Sequence, residues 1–214
     1  MHIADGILPT PVWAAGWVVT GVVALATLPA LTRASPPRVA MITSACFVGS
    51  LLAFPLAGTS VHLVLVGLAG VVLGRAAFPS VLVALGLQLL MFRFGGATTL
   101  GVNALNLGLG ALVAGAVFHG APRPRRAWLR GGLAGFLGTL TALACYGAAL
   151  VSAGEGLRAV AWASIGLHLP VLAVETVVTA QAVAFLERVR PELLGARCVG
   201  SASSATPAAA GAAR

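Results

Sequence analysis

The chain consists of long apolar stretches separated by short polar or glycine-rich connections. Seven such stretches are present, at about residues 11–31, 39–57, 60–74, 78–92, 99–118, 129–152 and 160–186. A helix of roughly 20 apolar residues crosses the hydrocarbon core of a membrane, so the pattern predicts an all-α integral membrane protein with about seven transmembrane helices. The third and fourth stretches are short, and we expect them to be tilted or partly broken.

The composition supports this class. Hydrophobic residues make up 59% of the 214 positions, charged residues only 8%, and the mean hydropathy is +1.00. Soluble domains carry about 25% charged residues, which excludes a soluble globular protein. The apolar content also excludes disorder for the chain as a whole. Only the last stretch, 195–214, is rich in Ala and Ser, and it predicts a disordered cytoplasmic tail after a membrane domain at 1–194.

The charges predict the orientation of the helices. All thirteen basic residues are Arg, against five acidic residues. With the N-terminus outside, the inner segments hold eleven of these Arg residues and the outer segments hold two, Arg93 and Arg158. Basic residues concentrate on the cytoplasmic side of a membrane. We therefore expect a plasma-membrane protein with its N-terminus outside the cell and its C-terminus in the cytoplasm. The net positive charge therefore predicts contact with the lipid bilayer and no binding of nucleic acid.

Two further features limit the interpretation. Residues 1–8 contain no Lys or Arg, unlike the start of a secretory signal, so the first helix is predicted to be retained. The three cysteines, Cys46, Cys145 and Cys198, are odd in number and far apart. They predict neither a disulfide framework nor a cysteine metal cluster.

The rare polar residues gather on the predicted outer side. They include His2 and Asp5, the turn that ends at His62, the pair Thr98 and Thr99, Asn103 and Asn106, and His168, roughly 12 Å into the last helix at 1.5 Å per residue. Glu175 follows near the middle of the membrane. Ionisable residues inside a membrane suggest function. The simpler alternative is structural: His168 and the Asn pair bond neighbouring helices, Glu175 pairs with His168, and His119 is an interfacial residue.

The first two residues have a specific chemical capacity. A free α-amine, the backbone nitrogen of His2 and its imidazole Nδ1 close a five-membered and a six-membered chelate ring. The three nitrogens lie in a plane, and a fourth nitrogen, from an imidazole such as that of His62, would complete a square-planar set. Such a nitrogen set suits Ni²⁺ or Cu²⁺. Binding would release protons from the amine and the amide, so affinity should fall as the pH falls.

Four sequence blocks together resemble the CbiM/NikM family, the substrate-binding membrane components of energy-coupling factor (ECF) transporters for cobalt and nickel. The blocks are MHIADGIL at 1–8, the segment 55–67 with GTSVHL, GGATTLGVNALN at 95–106, and HLP at 168–170 with Glu175, FL at 185–186 and RPELL at 190–194. The resemblance extends to about residue 194 and implies seven membrane helices with an extracellular N-terminus.

The resemblance also implies a set of metal ligands. In the family the ion is held by the N-terminal amine, by the amide nitrogen and imidazole of residue 2, and by the histidine of the Gly-Thr-Ser-x-His block. Carried over, these are Met1, His2 and His62. The third block resembles a loop that closes over the metal, which makes Thr98, Thr99 and Asn103 candidates for residues that support the ligands. His168 and Glu175 match the fourth block and are further supporting candidates, without chemistry that makes them ligands.

The implied function is import, with Co²⁺ or Ni²⁺ as the substrate and no prosthetic group. The implied partners are an ECF transmembrane coupling subunit, cytoplasmic ATPase subunits and sometimes a small accessory membrane protein. The chain has no Lys and hence no P-loop motif, so we expect it not to be an enzyme and ATP hydrolysis to occur in another chain. A membrane-embedded metal-dependent enzyme and a carrier of an organic micronutrient remain alternatives, and cobalt and nickel are not distinguished.

Overall fold

The computed structural model describes residues 2–56, 59–120 and 126–195. This part of the chain forms seven α-helices and one β-hairpin. The helices are α1 (Thr10–Arg33), α2 (Pro36–Gly49), α3 (Val66–Leu73), α4 (Ala77–Phe92), α5 (Leu100–His119), α6 (Ala127–Ser152) and α7 (Arg158–Val189). The hairpin strands are β1 (Ala53–Leu56) and β2 (Thr59–His62), and three 3₁₀ turns lie at Gly74–Ala76, Glu155–Leu157 and Pro191–Leu194.

Five helical stretches of the described residues are long and apolar enough to cross a membrane. They are Thr10–Arg33, Leu100–His119, Ala127–Ser152, Glu155–Val189 and, when α3 and α4 are counted together, Val66–Phe92. The predicted spans at 11–31, 99–118, 129–152 and 160–186 match four of these stretches to within a few residues. The prediction of a helical, multi-pass membrane protein is therefore confirmed.

The second and third predicted spans are not continuous helices. Helix α2 has 14 residues, or about 21 Å at 1.5 Å per residue, which is less than the hydrocarbon core. The chain then forms the antiparallel hairpin, in which Phe54 pairs with Val61. Pro55 lacks the N–H that a helix interior requires, and the β-branched Val61 favours a strand. Seven separate spans and the sidedness of the ends consequently remain predictions.

The fourth predicted span, 78–92, corresponds to α4. Helix α3 comes directly before it in the same apolar stretch, Val66–Phe92. Between them Gly74 adopts φ +56° and ψ −124°, which reverses the chain. Gly70 lies against Ala111 of α5, whereas Phe78 lies against Gly108. Helix α3 therefore runs in the same direction as α5, and α4 runs back along it. The result is a short helix that begins deep inside the protein and not at its surface.

Helix α5 occupies the centre of the bundle, in contact with α1, α3, α4 and α6. Small residues permit this close packing: a Cβ on Gly110 would lie 2.5 Å from the carbonyl oxygen of Gly138 on α6. Helices in a membrane associate mainly through such close backbone approach. The outer helices α1 and α7 expose apolar side chains such as Leu25 and Val177, as expected of surfaces that face lipid.

Several basic side chains bind backbone carbonyls at one end of the bundle. Arg75 donates to the carbonyl of Ala26 near the end of α1, and Arg38 donates to that of Glu192 after α7. The segment before α1 and the loop before α5 lie at the opposite end. The fold thus separates an arginine-rich end from the end that holds most of the candidate site residues.

Candidate functional site

The segment before α1, residues 2–9, is fixed to the start of α5 through the backbone of Ile3. The side-chain oxygen of Asn103 accepts the Ile3 N–H at 2.9 Å, and its amide nitrogen donates to the Ile3 carbonyl at 3.0 Å. The Thr99 hydroxyl donates to the same carbonyl at 2.6 Å. All three residues are buried. Ile3, the residue after His2, is therefore held at both its backbone N–H and its carbonyl.

A second contact joins this segment to the loop before α5. The carboxylate of Asp5 accepts the N–H of Ala97 at 3.0 Å, and the N–H of Thr98 at 2.9 Å and its hydroxyl at 2.5 Å. The hydrogen bond from the Thr98 side chain lowers the pKa of the exposed Asp5 carboxyl below its usual value. Its ionised form is the acceptor, so the contact is made by the charged group.

His2 and His62 lie side by side, although 60 residues separate them. Nδ1 of His2 is 3.0 Å from Nε2 of His62, and the two ring centroids are 4.8 Å apart. His62 is the last residue of β2, so the hairpin places it beside the N-terminal segment. The structure thus brings together two of the three predicted ligand residues. Met1, the third, lies outside the described residues.

Gln88 of α4 orients the ring of His2. Its side-chain oxygen lies 2.9 Å from His2 Nε2 and accepts the hydrogen of that nitrogen. His2 Nδ1 then carries the lone pair that faces His62. The Leu63 carbonyl, 3.3 Å from His62 Nδ1, can only accept, so this contact requires the hydrogen on Nδ1 and leaves a lone pair on Nε2. In these tautomers two imidazole lone pairs converge on one point.

The two imidazoles line a small cavity beneath the N-terminal segment, together with Cys46, Ser50 and Gln88. Burial lowers the pKa of His2 to about 3. A neutral imidazole is the form that binds a metal ion. Among the described residues, no group of three or more His, Cys, Asp and Glu side chains is placed to hold a metal. Additional donors would have to come from backbone nitrogen or from the chain terminus.

The other candidates divide into two groups. Thr98, Thr99 and Asn103 hold the N-terminal segment, as described above. His168 is buried and donates from Nδ1 to the carbonyl of Ser164 in its own helix. Glu175 accepts the N–H groups of Val64 and Leu65. The alternative that Glu175 pairs with His168 is therefore not seen: each side chain binds backbone instead.

His119 has a different place. It lies at the end of α5 and donates from Nε2 to the carbonyl of Val71, 2.9 Å away. This contact is at the arginine-rich end, far along α5 from Asn103. It therefore agrees with a structural role at the end of the helix.

Two features of the site, Gln88 and the contact of Asp5, were not predicted from the sequence. Gln88 is 3% exposed, and its neighbours in the stretch 81–92 are apolar or Gly. A buried amide in a membrane helix needs a partner, which was the available signal. Asp5 was assigned only to the outer surface, since a sequence does not show that residue 5 meets residues 97 and 98.

Comparisons with known proteins agree with this fold. The chain matches the family CbiM, described as the cobalt uptake substrate-specific transmembrane region, over residues 2–193. It is 36% identical to the cobalt transport protein CbiM of Sorangium cellulosum over 216 residues, which cover 91% of this chain and 94% of that protein. It is 34% identical to the fused nickel transport protein NikMN of Rhodobacter capsulatus over 224 residues, covering 92% of this chain and 65% of that protein.

A solved structure of a transition metal transporter shares the fold, with a TM-score of 0.72 at 23% identity, covering 88% of this chain and 93% of that one. The fold and these similarities define a multi-pass membrane protein of the transport class. More specifically, the chain belongs to the CbiM family. The resemblance noted in the sequence is thereby confirmed.

Proposed function

We propose that this protein is the substrate-binding membrane subunit of an ECF-type importer for Co²⁺ or Ni²⁺. The ion would be captured at the outer face of the plasma membrane by the amine of Met1, the amide nitrogen and imidazole of His2, and the imidazole of His62. The observation that carries the proposal is the 3.0 Å approach of His2 Nδ1 to His62 Nε2.

This distance suits two neighbouring corners of a planar metal site. Metal–nitrogen bonds of about 2 Å at a right angle place their nitrogens about 2.8 Å apart. In a chelate built from the amine, amide and imidazole of residues 1 and 2, the imidazole and the amine occupy opposite corners. His62 would then stand opposite the amide and next to Nδ1 of His2. Only a small adjustment of the two rings is needed.

The surrounding hydrogen bonds support a preformed site. The amide nitrogen of His2 lies one residue before Ile3. The backbone of Ile3 is bound by Asn103 and Thr99. Gln88 accepts from Nε2 of His2, which favours the tautomer that has its lone pair on Nδ1. Partners that orient ligating imidazoles commonly tune metal sites. Asp5, bound to Thr98, would keep the loop before α5 over the ion.

The separation of charges supports the direction of transport. Arg38, Arg75 and Arg130 lie at the end of the bundle opposite His2 and Asp5, and basic residues concentrate on the cytoplasmic side. The capture site would therefore face outward, with the N-terminus outside and the C-terminus inside. Of the predicted tail, 195–214, residues 196–214 lie outside the described residues.

Similar proteins suggest the partners. The nickel protein NikMN is named as a fusion, and a relative from Methanocorpusculum labreanum, 32% identical over 55% of this chain, is named a fused cobalt transport protein CbiMQ. For this chain we propose the same kinds of partner: a transmembrane coupling subunit, ATPase subunits that drive reorientation, and in some systems an accessory membrane protein.

The experiment compares the native protein with a variant that carries Gly-Ser before Met1. A variant with Gly-Ser at the C-terminus is the matched control. Each is titrated with Ni²⁺ and Co²⁺ by calorimetry, and the d–d absorption band is recorded. We expect the N-terminal extension alone to abolish tight binding and the band of the planar complex. Equal binding by all three forms would exclude the amine as a ligand, and absence of binding by the native protein would refute the proposed function.

A further inference from the structure

Glu175 connects the middle of α7 to the chain just after His62. Its Oε1 accepts the N–H of Val64 at 2.5 Å and the N–H of Leu65 at 2.8 Å. The side chain is fully buried, and Glu175 lies near the midpoint of the 32-residue helix. One carboxyl oxygen therefore fixes two consecutive peptide groups that are more than 100 positions away in sequence.

The segment that Glu175 binds has no local means of satisfying these groups. Helix α3 begins at Val66, and the preceding Leu65 lies in the left-handed region, with φ 57° and ψ 25°. This conformation is unfavourable for a residue with a Cβ. Leu65 also has no side-chain oxygen with which to cap the helix, as a Ser or Asp would. The carboxyl of Glu175, on a different helix, accepts instead the N–H groups of Val64 and Leu65 just before the helix.

Small residues bring the start of α3 close enough for this contact. A Cβ on Gly67 would lie 2.6 Å from Cα of Gly135 and 2.9 Å from Oγ1 of Thr179. A Cβ on Gly135 would in turn lie 3.2 Å from the carbonyl of Glu175. The first turn of α3 is therefore pressed against α6 and α7, at the level of the carboxyl group.

We propose that Glu175 is a positioning residue for His62, an inference that rests on the proposed function. His62 stands two residues before the first bound peptide, and Leu63 between them contributes the carbonyl near His62 Nδ1. Glu175 thereby fixes the position of the His62 ring along the length of the bundle, and with it the position of that ring relative to His2. It does not touch the ion, and its effect on binding is transmitted through residues 63–65.

The chemistry of the position favours this role over simple stabilisation. A carboxyl group inside a membrane is costly, and it is retained mainly where it serves a function. The second oxygen, Oε2, is buried and has no hydrogen-bond partner within the described residues. A capping residue at position 65 would stabilise α3 without this cost, but it would not connect the His62 segment to α7.

The test uses three variants of the full chain. Glu175→Gln keeps an oxygen that accepts both N–H groups, and Glu175→Leu keeps the size but removes the acceptor. Leu172→Ala is the matched control, because it removes a buried side chain three residues earlier on α7 and none of these hydrogen bonds. The readouts are Ni²⁺ and Co²⁺ affinity by calorimetry, hydrogen exchange of the peptide covering 62–66, and Tm.

We expect Glu175→Leu to weaken metal binding at least tenfold and to accelerate exchange in 62–66. Glu175→Gln should bind within about threefold of the native protein, and Leu172→Ala should lower Tm without a comparable loss of affinity. Native affinity in Glu175→Leu would overturn the inference while leaving the proposed function intact. If Glu175→Leu and Leu172→Ala have the same Tm and lose the same amount of metal affinity, Glu175 has only a structural role and the inference is overturned. If the native protein binds no metal, the proposed function fails first.

Discussion

Asn103 provides the sharpest test of how the N-terminal segment is held. The substitution Asn103→Leu keeps the approximate volume and removes both hydrogen bonds to Ile3. The Ile3 carbonyl still accepts from the hydroxyl of Thr99. The N–H of Ile3, which is buried, loses its acceptor. An unsatisfied buried group of this kind costs roughly 1–3 kcal/mol. Taking about 2 kcal/mol, the docked state of the segment becomes about 30-fold less favourable relative to the undocked state.

The assay is hydrogen exchange of the peptide covering residues 2–9, measured by mass spectrometry in the metal-free protein. Exchange from an undocked state should become about 30-fold faster, since the rate follows the free energy of opening. The metal affinity can fall by no more than the same factor, because only the docked fraction binds. Asn106→Leu is the control: Asn106 lies one turn away, is buried, and its Nδ2 has no partner in the described residues.

Two results would refute this reasoning. The first is unchanged exchange in Asn103→Leu, which would mean that the two hydrogen bonds do not hold the segment. The second is equal acceleration in Asn106→Leu, which would attribute the effect to a general loosening of α5. A loss of affinity much larger than the change in exchange would point instead to a direct role of Asn103 in binding the ion.

Three further predictions follow from the same contacts. Gln88→Leu removes the acceptor that orients His2. Because one buried hydrogen bond is lost, Ni²⁺ affinity measured by calorimetry should fall by about tenfold. Gln181→Leu, at an exposed position, is the control and should leave the affinity unchanged. The lowered pKa of Asp5 stabilises the folded protein at a pH above the carboxyl's unfolded pKa, and this stability is lost as the pH falls through the folded pKa. The Tm difference between the native protein and Asp5→Asn should therefore shrink on acidification. A Tm difference that stays constant with pH would contradict this. Gly70→Val places a side chain against the backbone of α5 and should destabilise the fold by about 1–3 kcal/mol or more, seen as a lower Tm in detergent; an unchanged Tm would contradict the packing.

The long helices were predictable because length and hydropathy alone define them. Helices α1, α5, α6 and α7 follow the apolar stretches closely. The region between α2 and α3 was not predictable in the same way, since an apolar run has the same hydropathy whether it forms a helix or a hairpin. Pro55 was the available sign of a break, and its effect depends on which neighbours can accept the freed backbone groups.

The candidate site shows a similar division. The resemblance to the family proposed His2 and His62 as ligands, and the structure brings their imidazoles together. The alternative that Glu175 pairs with His168 is not seen, because spacing along one helix reveals which side chains share a face but not which backbone lies opposite. Gln88 was missed for the same reason: its importance comes from a neighbour 86 positions away.

The length of α7 has a mechanical consequence. Its 32 residues rise about 48 Å, compared with about 30 Å of hydrocarbon, so the helix must tilt or extend beyond the bilayer. Pro170 interrupts the hydrogen-bond ladder of α7 on the N-terminal side of Glu175. The part from Glu175 to Val189 therefore behaves as an unbroken rod that ends among Arg188 and Arg190. A tilt that displaces the C-terminal end of this rod would move the Glu175 carboxyl with it, so the segment from Glu175 to Val189 links the arginine-rich end of the bundle to the contact with Val64 and Leu65.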